Sequence, residues 1–384
     1  MALHTLRNLR VRIGIDATAI PPSRSGAGNY IFNLVCGLAR VDSDNQYVVF
    51  AKPEHIEEWK IAQPNFCFLP GASGYRPLRL AWEQCVLPLL VRRHKLDILH
   101  SPHYTMPLFC PCRSVVTFCD MIFFLYPEVH SLSKRIFFRT MMSVSSQRAN
   151  AIIAISKSTA RDVISLLRVM PDKIHTIPLA AGSNYRPIAD RNAVELVCTQ
   201  HGLQAGEYVL FIGVLEPRKN IPVLLHAYQE LVGCGIRKKL AIVGKRGWMF
   251  SEIFSTVQTL KIEDKVVFTG YVPEADLPSL YNGACLFVYP SLYEGFGLPV
   301  LEAMSCGTPV VTSNVSSMPE IAGESALLVD PRAPKQLAQA MEKVLVDDGL
   351  RRSMREGGLR RAAEYSWERT ARETLKVYHQ VWKA

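Results

Sequence analysis

The sequence predicts an α/β protein built from two doubly wound parallel sheets, and three observations support that fold class. Short β-branched runs alternate with amphipathic stretches of helical length, which is the pattern of β-α-β units. This rhythm is interrupted once, near the middle of the chain, and then resumes. The length of 384 residues also suits two domains, each large enough to bury its own core.

The first domain is predicted to span residues 1–185. Ser156 or Ser158 is expected to cap its last helix, because serine hydroxyls accept hydrogen bonds from the free amides of a helix start. We predict its strands at 11–15, 46–50, 65–69, 96–100, 114–118 and 151–155. We predict its helices at 28–40, 78–94, 133–148 and 157–168.

A polar, irregular segment, 186–206, is predicted to be a linker, and the second domain follows at 207–365. A last amphipathic helix within 366–384 is expected to pack back on the first domain. In the second domain we predict strands at 208–214, 239–244, 265–270, 285–290, 309–313 and 326–329. We predict helices at 221–233, 250–260, 274–283, 298–305, 334–346 and 349–364.

The net charge of +10 is concentrated in the first half, where residues 1–190 hold 22 Lys or Arg and 13 Asp or Glu. Such an imbalance indicates an anionic partner: a nucleic acid, a membrane surface or a phosphorylated substrate. No helix-turn-helix, zinc or RNA-binding signature is present, so no nucleic acid is expected. The segment Arg76–Lys95 combines Trp82 and several leucines with five basic residues, as membrane-surface helices do. The alternative is a core helix with a solvated basic face.

The ten cysteines include no C-x-x-C pair, which predicts reduced core thiols in a cytoplasmic protein and no metal site. Residues 1–12 lack the apolar core of a signal peptide. The longest apolar stretch, 115–126, is interrupted by Asp120 and is too short to cross a bilayer. We therefore expect a cytoplasmic protein whose membrane contact, if any, is peripheral and on the inner face of the cytoplasmic membrane.

The segment 290–310 is the most informative of the chain. It reads as a strand, a glycine-rich loop and a helix with Pro299 in its first turn. The free amides of residues 295–298 and the helix dipole suit an anionic or polyhydroxylated ligand. Glu294 lies in the loop and Glu302 in the helix, where carboxylates accept hydrogen bonds from sugar hydroxyls. The alternative is a structural turn with one capping and one exposed glutamate.

Two adjacent cations, Arg218 and Lys219, follow the first strand of the second domain in the segment G-V-L-E-P-R-K-N that begins at Gly213. An arginine binds phosphate oxygens bidentately and a lysine acts as a point charge, so the pair suits a diphosphate. Such a pair is commonly a solvated turn, but its place at a strand end favours a binding role.

These segments resemble the retaining GT-B glycosyltransferases, the family called glycosyl transferases group 1, and the similarity covers nearly the whole chain. Glu294 and Glu302 match the E-x7-E motif of that family, and 218–220 matches its R-K-N segment. The resemblance implies the GT-B fold, with two Rossmann-like domains facing across a deep cleft, and a nucleotide-sugar donor. It implies that Glu294 holds hydroxyls of the donor sugar and Glu302 the nucleotide ribose. It also implies that Arg218 and Lys219 neutralise the leaving diphosphate.

The resemblance adds further segments to the donor site. These are Gly295, Phe296, Gly297 and Leu298 after the first glutamate, Gly26 and Gly28 in S-G-A-G-N-Y, Gly213, Lys245 in G-K-R-G-W and Tyr271 in G-Y-V. The glycine loop at 25–30 is a weak signal by itself, because a tight strand-to-helix turn has the same composition.

The segment V-T-F-C-D departs from the family pattern. Many relatives carry a histidine that contacts the donor sugar where this chain has Cys119, whereas Asp120 matches the aspartate of the family and joins the catalytic candidates. A thiol is a weak hydrogen-bond donor and cannot hold the charge of an imidazole, which leaves donor identity and activity open. His103 and Tyr104 are expected on the acceptor side with Cys119. His100 either joins them or is structural.

The resemblance further implies a retaining hexosyltransferase that requires neither a metal nor another cofactor. The acceptor hydroxyl attacks from the face that the diphosphate leaves, and the protein supplies charge stabilisation and positioning. Mannosyltransferase-like members have the most similar second-domain sequences, so GDP-mannose is the expected donor. A glycan or lipid-linked acceptor of cell-envelope polysaccharide or glycolipid synthesis is expected. The alternatives are a UDP-sugar-dependent enzyme of the same fold and a weakened sugar-nucleotide-binding relative.

Overall fold

The computed structural model of this protein describes residues 10–21, 26–72 and 75–384. The chain divides into two compact units, the first formed by Met1–Leu179 with Ser366–Ala384 and the second by Ala180–Tyr365. Each unit contains one sheet, of seven and six strands respectively, and the pairings between neighbouring strands are parallel. The predicted fold class is therefore confirmed.

The sheet of the first unit has the order β3-β2-β1-β4-β5-β6-β7. Strands β4 and β5, which follow β1 in this order, are buried along most of their length, as expected for a sheet covered on both faces. The strands are β1 (Arg12–Asp16), β2 (Gln46–Ala51), β3 (Phe66–Pro70), β4 (Ile98–Ser101), β5 (Arg113–Phe118), β6 (Ala151–Ala154) and β7 (Ile174–Thr176).

Helices connect these strands in the described part of the first unit. They are α1 (Ala27–Val41), α2 (Pro53–Ile56), α3 (Arg76–Cys85), α4 (Leu87–Arg93), α5 (Ile122–Leu125), α6 (Leu132–Arg148) and α7 (Lys157–Leu167). The single helix predicted at 78–94 is two helices, because Pro88 lacks an amide hydrogen and sits in the first turn of α4. Ser156 caps α7 as predicted, since its hydroxyl accepts the Thr159 amide at 3.0 Å.

The sheet of the second unit has the order β10-β9-β8-β11-β12-β13. This is the doubly wound order in which the strand sequence reverses between β8 and β11. The strands are β8 (Tyr208–Ile212), β9 (Lys239–Val243), β10 (Val266–Gly270), β11 (Leu286–Tyr289), β12 (Val310–Ser313) and β13 (Leu327–Val329).

The helices of the second unit begin inside the segment predicted as a linker. They are α8 (Arg191–Gln200), α9 (Ile221–Gly233), α10 (Ser251–Leu260), α11 (Leu277–Gly283), α12 (Leu298–Ser305), α13 (Met318–Ala322), α14 (Pro334–Val346) and α15 (Asp348–Ala362). Asp190 caps α8 by accepting two backbone amides, and Val194 and Cys198 are fully buried. Most of 186–206 is thus a packed part of the second unit, because two buried residues one turn apart anchor an otherwise polar helix.

The chain then returns to the first unit with α16 (Trp367–Lys383). This helix packs closely on α1, where a Cβ added to Gly37 would lie 2.8 Å from the Trp367 carbonyl oxygen. Thr370 Oγ1 also donates to the Pro178 carbonyl at 2.7 Å. Among the residues that the structure describes, no helix is both long enough and apolar enough to span a bilayer.

The cysteines are not all core thiols, which corrects the interpretation of the sequence. Cys119, Cys198 and Cys306 are buried, whereas Cys67 and Cys234 are exposed. Cys67 lies on β3, the outer strand of its sheet, so one face of that strand is less covered. An apolar run in sequence therefore did not determine which of its residues face the core.

Candidate functional site

The two predicted motifs of the second unit lie at the carboxyl edge of its sheet. Strands β8 and β11 are neighbours and run in the same direction, so the segments that follow them begin side by side. A short 3-10 helix, Pro217–Lys219, follows β8, and the glycine-rich loop follows β11. Residues 75 positions apart in the sequence therefore come into contact.

Four charged side chains form one ion-pair cluster at this edge. Lys219 Nζ lies 2.6 Å from Glu294 Oε1, and Arg218 Nη1 lies 2.7 Å from the same oxygen. Arg218 Nη2 lies 2.5 Å from Glu216 Oε1. The side chains of Arg218, Lys219 and Glu294 are 14%, 9% and 12% exposed. Two cations and two carboxylates thus balance in a largely buried cluster that still reaches the surface.

Neutral hydrogen bonds hold Glu294 in place. Ser291 Oγ donates to Glu294 Oε1 at 2.7 Å, and Tyr289 Oη donates to the same atom at 3.0 Å. Lys219 Nζ donates in turn to Tyr289 Oη at 2.5 Å. Asn220, in the left-handed region at φ 58°, donates from Nδ2 to the Pro290 carbonyl at 3.1 Å and ties the two motifs together.

The pKa values in the cluster follow from burial and from these charges. Burial would raise the pKa of Glu294, but the charges of Arg218 and Lys219 outweigh it and hold that pKa at about 2. Burial and the neighbouring Arg218 lower the pKa of Lys219. Burial would also lower the pKa of Arg218, yet Glu294 and Glu216 raise it. Glu294 and Arg218 are therefore charged at neutral pH, and the cluster suits an anionic ligand that competes for its two basic side chains.

Glu302 lies apart from this cluster, on the first turns of α12. It is 9% exposed, and Tyr281 Oη donates to its Oε2 at 3.0 Å. Burial raises the pKa of Glu302 to about 7. The Tyr281 hydrogen bond opposes this increase, and the negative charge of Glu274 adds to it. A carboxyl group that titrates near neutral pH accepts ligand hydroxyls more strongly in its ionised form than in its neutral form.

The loop between the two glutamates is shaped by Gly297, which has φ 106°. Residues other than glycine rarely adopt this backbone conformation, so the turn favours glycine, and a Cβ here would also force the flexible end of the Met318 side chain to move. Phe296, in the same loop, is buried. Because α12 begins at Leu298, the backbone of residues 295–298 lies at a helix start, as the sequence predicted.

Three further donor-site candidates follow neighbouring strands at the same edge. Gly213, Lys245 and Tyr271 come after β8, β9 and β10, and Tyr271 is 67% exposed. Gly244 has φ 148°, and a Cβ there would overlap the Gly213 carbonyl oxygen. These candidates thus share an edge with the ion-pair cluster, and close backbone contact requires glycine at 244.

In the first unit, the acceptor-side candidates also share one carboxyl edge. His103 and Tyr104 follow β4, and their rings lie 4.3 Å apart. Cys119 and Asp120 follow the neighbouring β5, where Asp120 Oδ1 accepts the first amide of α5 at 3.1 Å. Cys119 is 8% exposed, and burial, aided by the Asp120 charge, raises its thiol pKa. A neutral, buried thiol is a poor nucleophile.

The glycine loop of the first unit is described from Gly26 onward, and Ser25 lies outside the described residues. Gly26 precedes α1 with φ 50°. A Cβ on Gly28 would lie 2.9 Å from Pro21 Cδ. The positive φ favours glycine at position 26, and the contact with Pro21 favours it at position 28. Both observations agree with the alternative that this loop is a tight strand-to-helix turn.

His100 is structural rather than part of the acceptor side. It is fully buried, with Nδ1 2.6 Å from Tyr378 Oη and Nε2 2.8 Å from Thr117 Oγ1. Tyr30 Oη lies 3.0 Å from the same Thr117 oxygen. Burial lowers the pKa of His100 to about 3, so it stays neutral. The network joins α1, the sheet and α16.

Sequence reasoning assigned no role to several charged or polar residues at these edges. Glu216, two positions before Arg218, belongs to the ion-pair cluster, and Tyr289 hydrogen-bonds to Glu294 within it. In the first unit, Arg79 Nη1 lies 3.0 Å from Glu83 Oε2 and 3.8 Å from Asp16 Oδ2. The i, i+4 spacing of Arg79 and Glu83 could have predicted this ion pair from the sequence.

No metal centre is visible in the parts of the chain that the structure describes, where no three His, Cys, Asp or Glu side chains could share an ion. The Asp-x-Asp triplet at 42–44 is a structural turn. Asp42 accepts hydrogen bonds from Tyr47 Oη at 2.5 Å and Asn45 Nδ2 at 2.7 Å. Burial opposes these bonds, but together they lower its pKa.

Comparison with known proteins gives two family matches that together span most of the chain. The model of the glycosyl transferases group 1 matches residues 200–361, and that of Glycosyltransferase Family 4 matches residues 24–181. The O-antigen chain mannosyltransferase B of Escherichia coli is 37% identical over 79% of this chain and 77% of its own length. The serotype-specific mannosyltransferase WbdA of Escherichia coli is 32% identical over 73% of this chain, but this match spans only 36% of WbdA.

Solved structures share the fold at lower identity. Sucrose-phosphate synthase from Thermosynechococcus elongatus has a TM-score of 0.76 at 21% identity, and the match covers 97% of this chain and 100% of that one. The Anabaena protein HepE, solved in complex with UDP and glucose, has a TM-score of 0.76 at 16% identity with the same coverage. These matches concern the fold alone.

Proposed function

Because this chain belongs to the glycosyl transferases group 1, we propose that it transfers mannose from GDP-mannose to a glycan or lipid-linked acceptor of cell-envelope polysaccharide or glycolipid synthesis. The observation that carries the proposal is the ion-pair cluster of Arg218, Lys219, Glu216 and Glu294 at a strand-end edge. The relatives named as O-antigen mannosyltransferases support mannose.

In the proposed reaction, Arg218 and Lys219 stabilise the negative charge that develops on the departing diphosphate. Both cations now contact Glu294, so a diphosphate competes with that carboxylate for them. Hydroxyl groups of the donor sugar then donate to Glu294 and compensate the carboxylate. Binding of the diphosphate and binding of the sugar are thereby linked through the Glu294 side chain.

The transfer is proposed to retain the anomeric configuration without a protein nucleophile. The acceptor oxygen bonds to the anomeric carbon on the face from which the diphosphate leaves, and a departing phosphate oxygen takes the acceptor proton. The neutral Cys119 thiol is consistent with a mechanism that uses no nucleophile here. Metal independence is part of this proposal, and anomeric analysis of the product by NMR, with and without chelator, tests both points.

The first experiment is calorimetric titration of the protein with GDP and with UDP. We expect GDP to bind more tightly, and Arg218→Ala to weaken it at least about tenfold, which is the loss of one charge-assisted contact. Arg237→Ala, an exposed arginine of the same unit, is the matched control and should change little. A UDP preference would redirect the donor to UDP-linked sugars, and binding of neither nucleotide would refute the donor site.

A catalytically weakened relative is the second candidate, and Cys119 is the observation that favours it. If the missing imidazole limits turnover, Cys119→His should raise the transfer rate without changing nucleotide affinity. Equal rates in both forms would remove this candidate. Circular dichroism of the variant checks that the buried position accepts the larger side chain.

We also propose peripheral contact with an anionic membrane through the outer face of α3 and α4. Leu78, Val86 and Leu89 are 58%, 41% and 62% exposed along this face, and Arg92 and Arg93 follow at its end. Exposed apolar side chains beside basic ones are typical of membrane-surface helices.

Cosedimentation with vesicles tests this contact. We expect binding to anionic vesicles at low salt and release at high salt. The double variant Leu78→Glu with Leu89→Glu should abolish binding, whereas Leu196→Glu, a 62% exposed leucine of the second unit, should not. Binding that is equal for both variants would refute the assigned face.

A further inference from the structure

Two cysteines of the first unit form a pair outside the candidate glycosyl-transfer site. Cys110 Sγ and Cys112 Sγ lie 3.7 Å apart, on either side of Pro111. Both side chains are partly exposed. The pair lies in the loop that leads into β5, and therefore at the amino edge of the sheet, opposite to the edge that carries His103 and Cys119.

The pair lines a cavity of about 590 Å³ at this amino edge. Arg92, at the end of α4, and Arg148, at the end of α6, line the same cavity. No ion pair to either guanidinium is found among the described residues, and Arg148 makes a hydrogen bond from Nη1 to the Leu108 carbonyl at 2.6 Å. The cavity therefore places two cations near two thiols.

The two thiols differ in character. The hydrogen bond between the two thiols lowers the pKa of Cys110, although burial opposes it. The same hydrogen bond, together with burial and the Asp97 charge, raises the pKa of Cys112. A thiol with a lowered pKa beside one that keeps its proton is the arrangement of an attacking and a resolving cysteine.

We propose that Cys110 and Cys112 form a dithiol site that reacts with an anionic low-molecular-weight disulfide of the oxidised-glutathione class. Arg92 and Arg148 attract the carboxylates of that disulfide into the cavity. The site is separate from the proposed glycosyl transfer and does not depend on it.

The reaction proceeds in two exchanges. The Cys110 thiolate attacks one sulfur of the disulfide, which forms a mixed disulfide and releases one thiolate. Cys112 then loses its proton and attacks Cys110 Sγ, which closes the Cys110–Cys112 disulfide and releases the second thiolate. The protein loses two protons and two electrons, and one small disulfide becomes two small thiols.

The first test treats the full-length protein with oxidised glutathione and maps the products by differential alkylation and mass spectrometry. We expect an internal disulfide, with the loss of two hydrogen masses, in the peptide of the pair. The exposed Cys67, Cys85 and Cys234 are internal controls and should form only mixed disulfides. Oxidation of these three before the pair would overturn the proposal.

Single variants test the assigned roles. Cys112→Ser should trap glutathione on Cys110, because the resolving thiol is missing. Cys110→Ser should leave Cys112 slower to react than Cys110 is in Cys112→Ser, because burial and the Asp97 charge still raise the pKa of Cys112 when Cys110 is absent. Equal trapping in both variants would refute the order of attack. Circular dichroism confirms that both variants are folded.

A comparison of two disulfides tests the arginines. Arg92→Gln with Arg148→Gln should slow the reaction with anionic oxidised glutathione at least about tenfold, and should not slow the reaction with cationic cystamine. Equal slowing with both reagents would show that the arginines do not recognise the anion. Raised salt should reproduce the effect of the double variant in the native protein.

Discussion

Neutralising Glu294 should destabilise the second unit, because this carboxylate compensates two buried cations. Glu294→Gln leaves Arg218 and Lys219 with only Glu216 as a counter-charge. Breaking a buried pair by removing one partner costs about 3–5 kcal/mol. The lowered pKa gives a similar figure, since a change from 4.5 to about 2 corresponds to about 3 kcal/mol.

A double-mutant cycle with Lys219→Met separates this interaction from general damage. The double variant retains the Arg218–Glu216 pair, whose charges balance. We therefore expect the double variant to lose about 1–3 kcal/mol less unfolding free energy than the sum of the losses in the two single variants. Glu207→Gln, which breaks an exposed pair with Lys238 at 2.7 Å, is the matched control and should cost less than about 1 kcal/mol.

Native-state hydrogen exchange is the suitable assay, because a chain of two units need not unfold in one transition. Amides of β8 and β11 report the opening free energy of the second unit alone. Acid gives a second readout: the contribution of Glu294 is complete above its unfolded pKa of 4.5 and is lost as the pH falls towards about 2. Two results would contradict this prediction. One is a double variant whose cost in opening free energy equals the sum of the two single costs, and the other is a cost of Glu294→Gln no larger than that of Glu207→Gln.

Three further outcomes are expected. Nucleotide affinity should rise as the pH rises through about 7, because an ionised Glu302 accepts ribose hydroxyls more strongly than a neutral carboxyl group does. Glu302→Gln should remove this dependence in calorimetric titrations, and a pH profile that is the same in both proteins would contradict the assignment. Gly244→Ala should cost several times more stability in thermal melts than Gly206→Ala, since both have positive φ but only a Cβ at 244 meets backbone. Gly37→Ala should expose α16 to limited proteolysis, whereas Gly233→Ala, with nothing within 4 Å, should not.

The fold class was predictable because it depends on local patterns. β-branched runs and helical periodicity are properties of short segments, and they placed the central strands within about two residues of their observed bounds. The prediction was less successful where one residue changes the outcome. Pro88 divides the helix predicted at 78–94, and Val194 with Cys198 turns part of a polar segment into a packed helix.

The site was predictable in its parts and not in its contacts. Motifs that follow parallel strands must lie at one edge, so Arg218, Lys219 and Glu294 could be assigned together from sequence. Only the tertiary structure brings β8 beside β11 and thereby joins both cations to a single carboxylate oxygen. Strand neighbours are chosen by packing between distant segments, which local periodicity does not encode, and the same packing decides that His100 is buried and neutral while His103 remains at the edge.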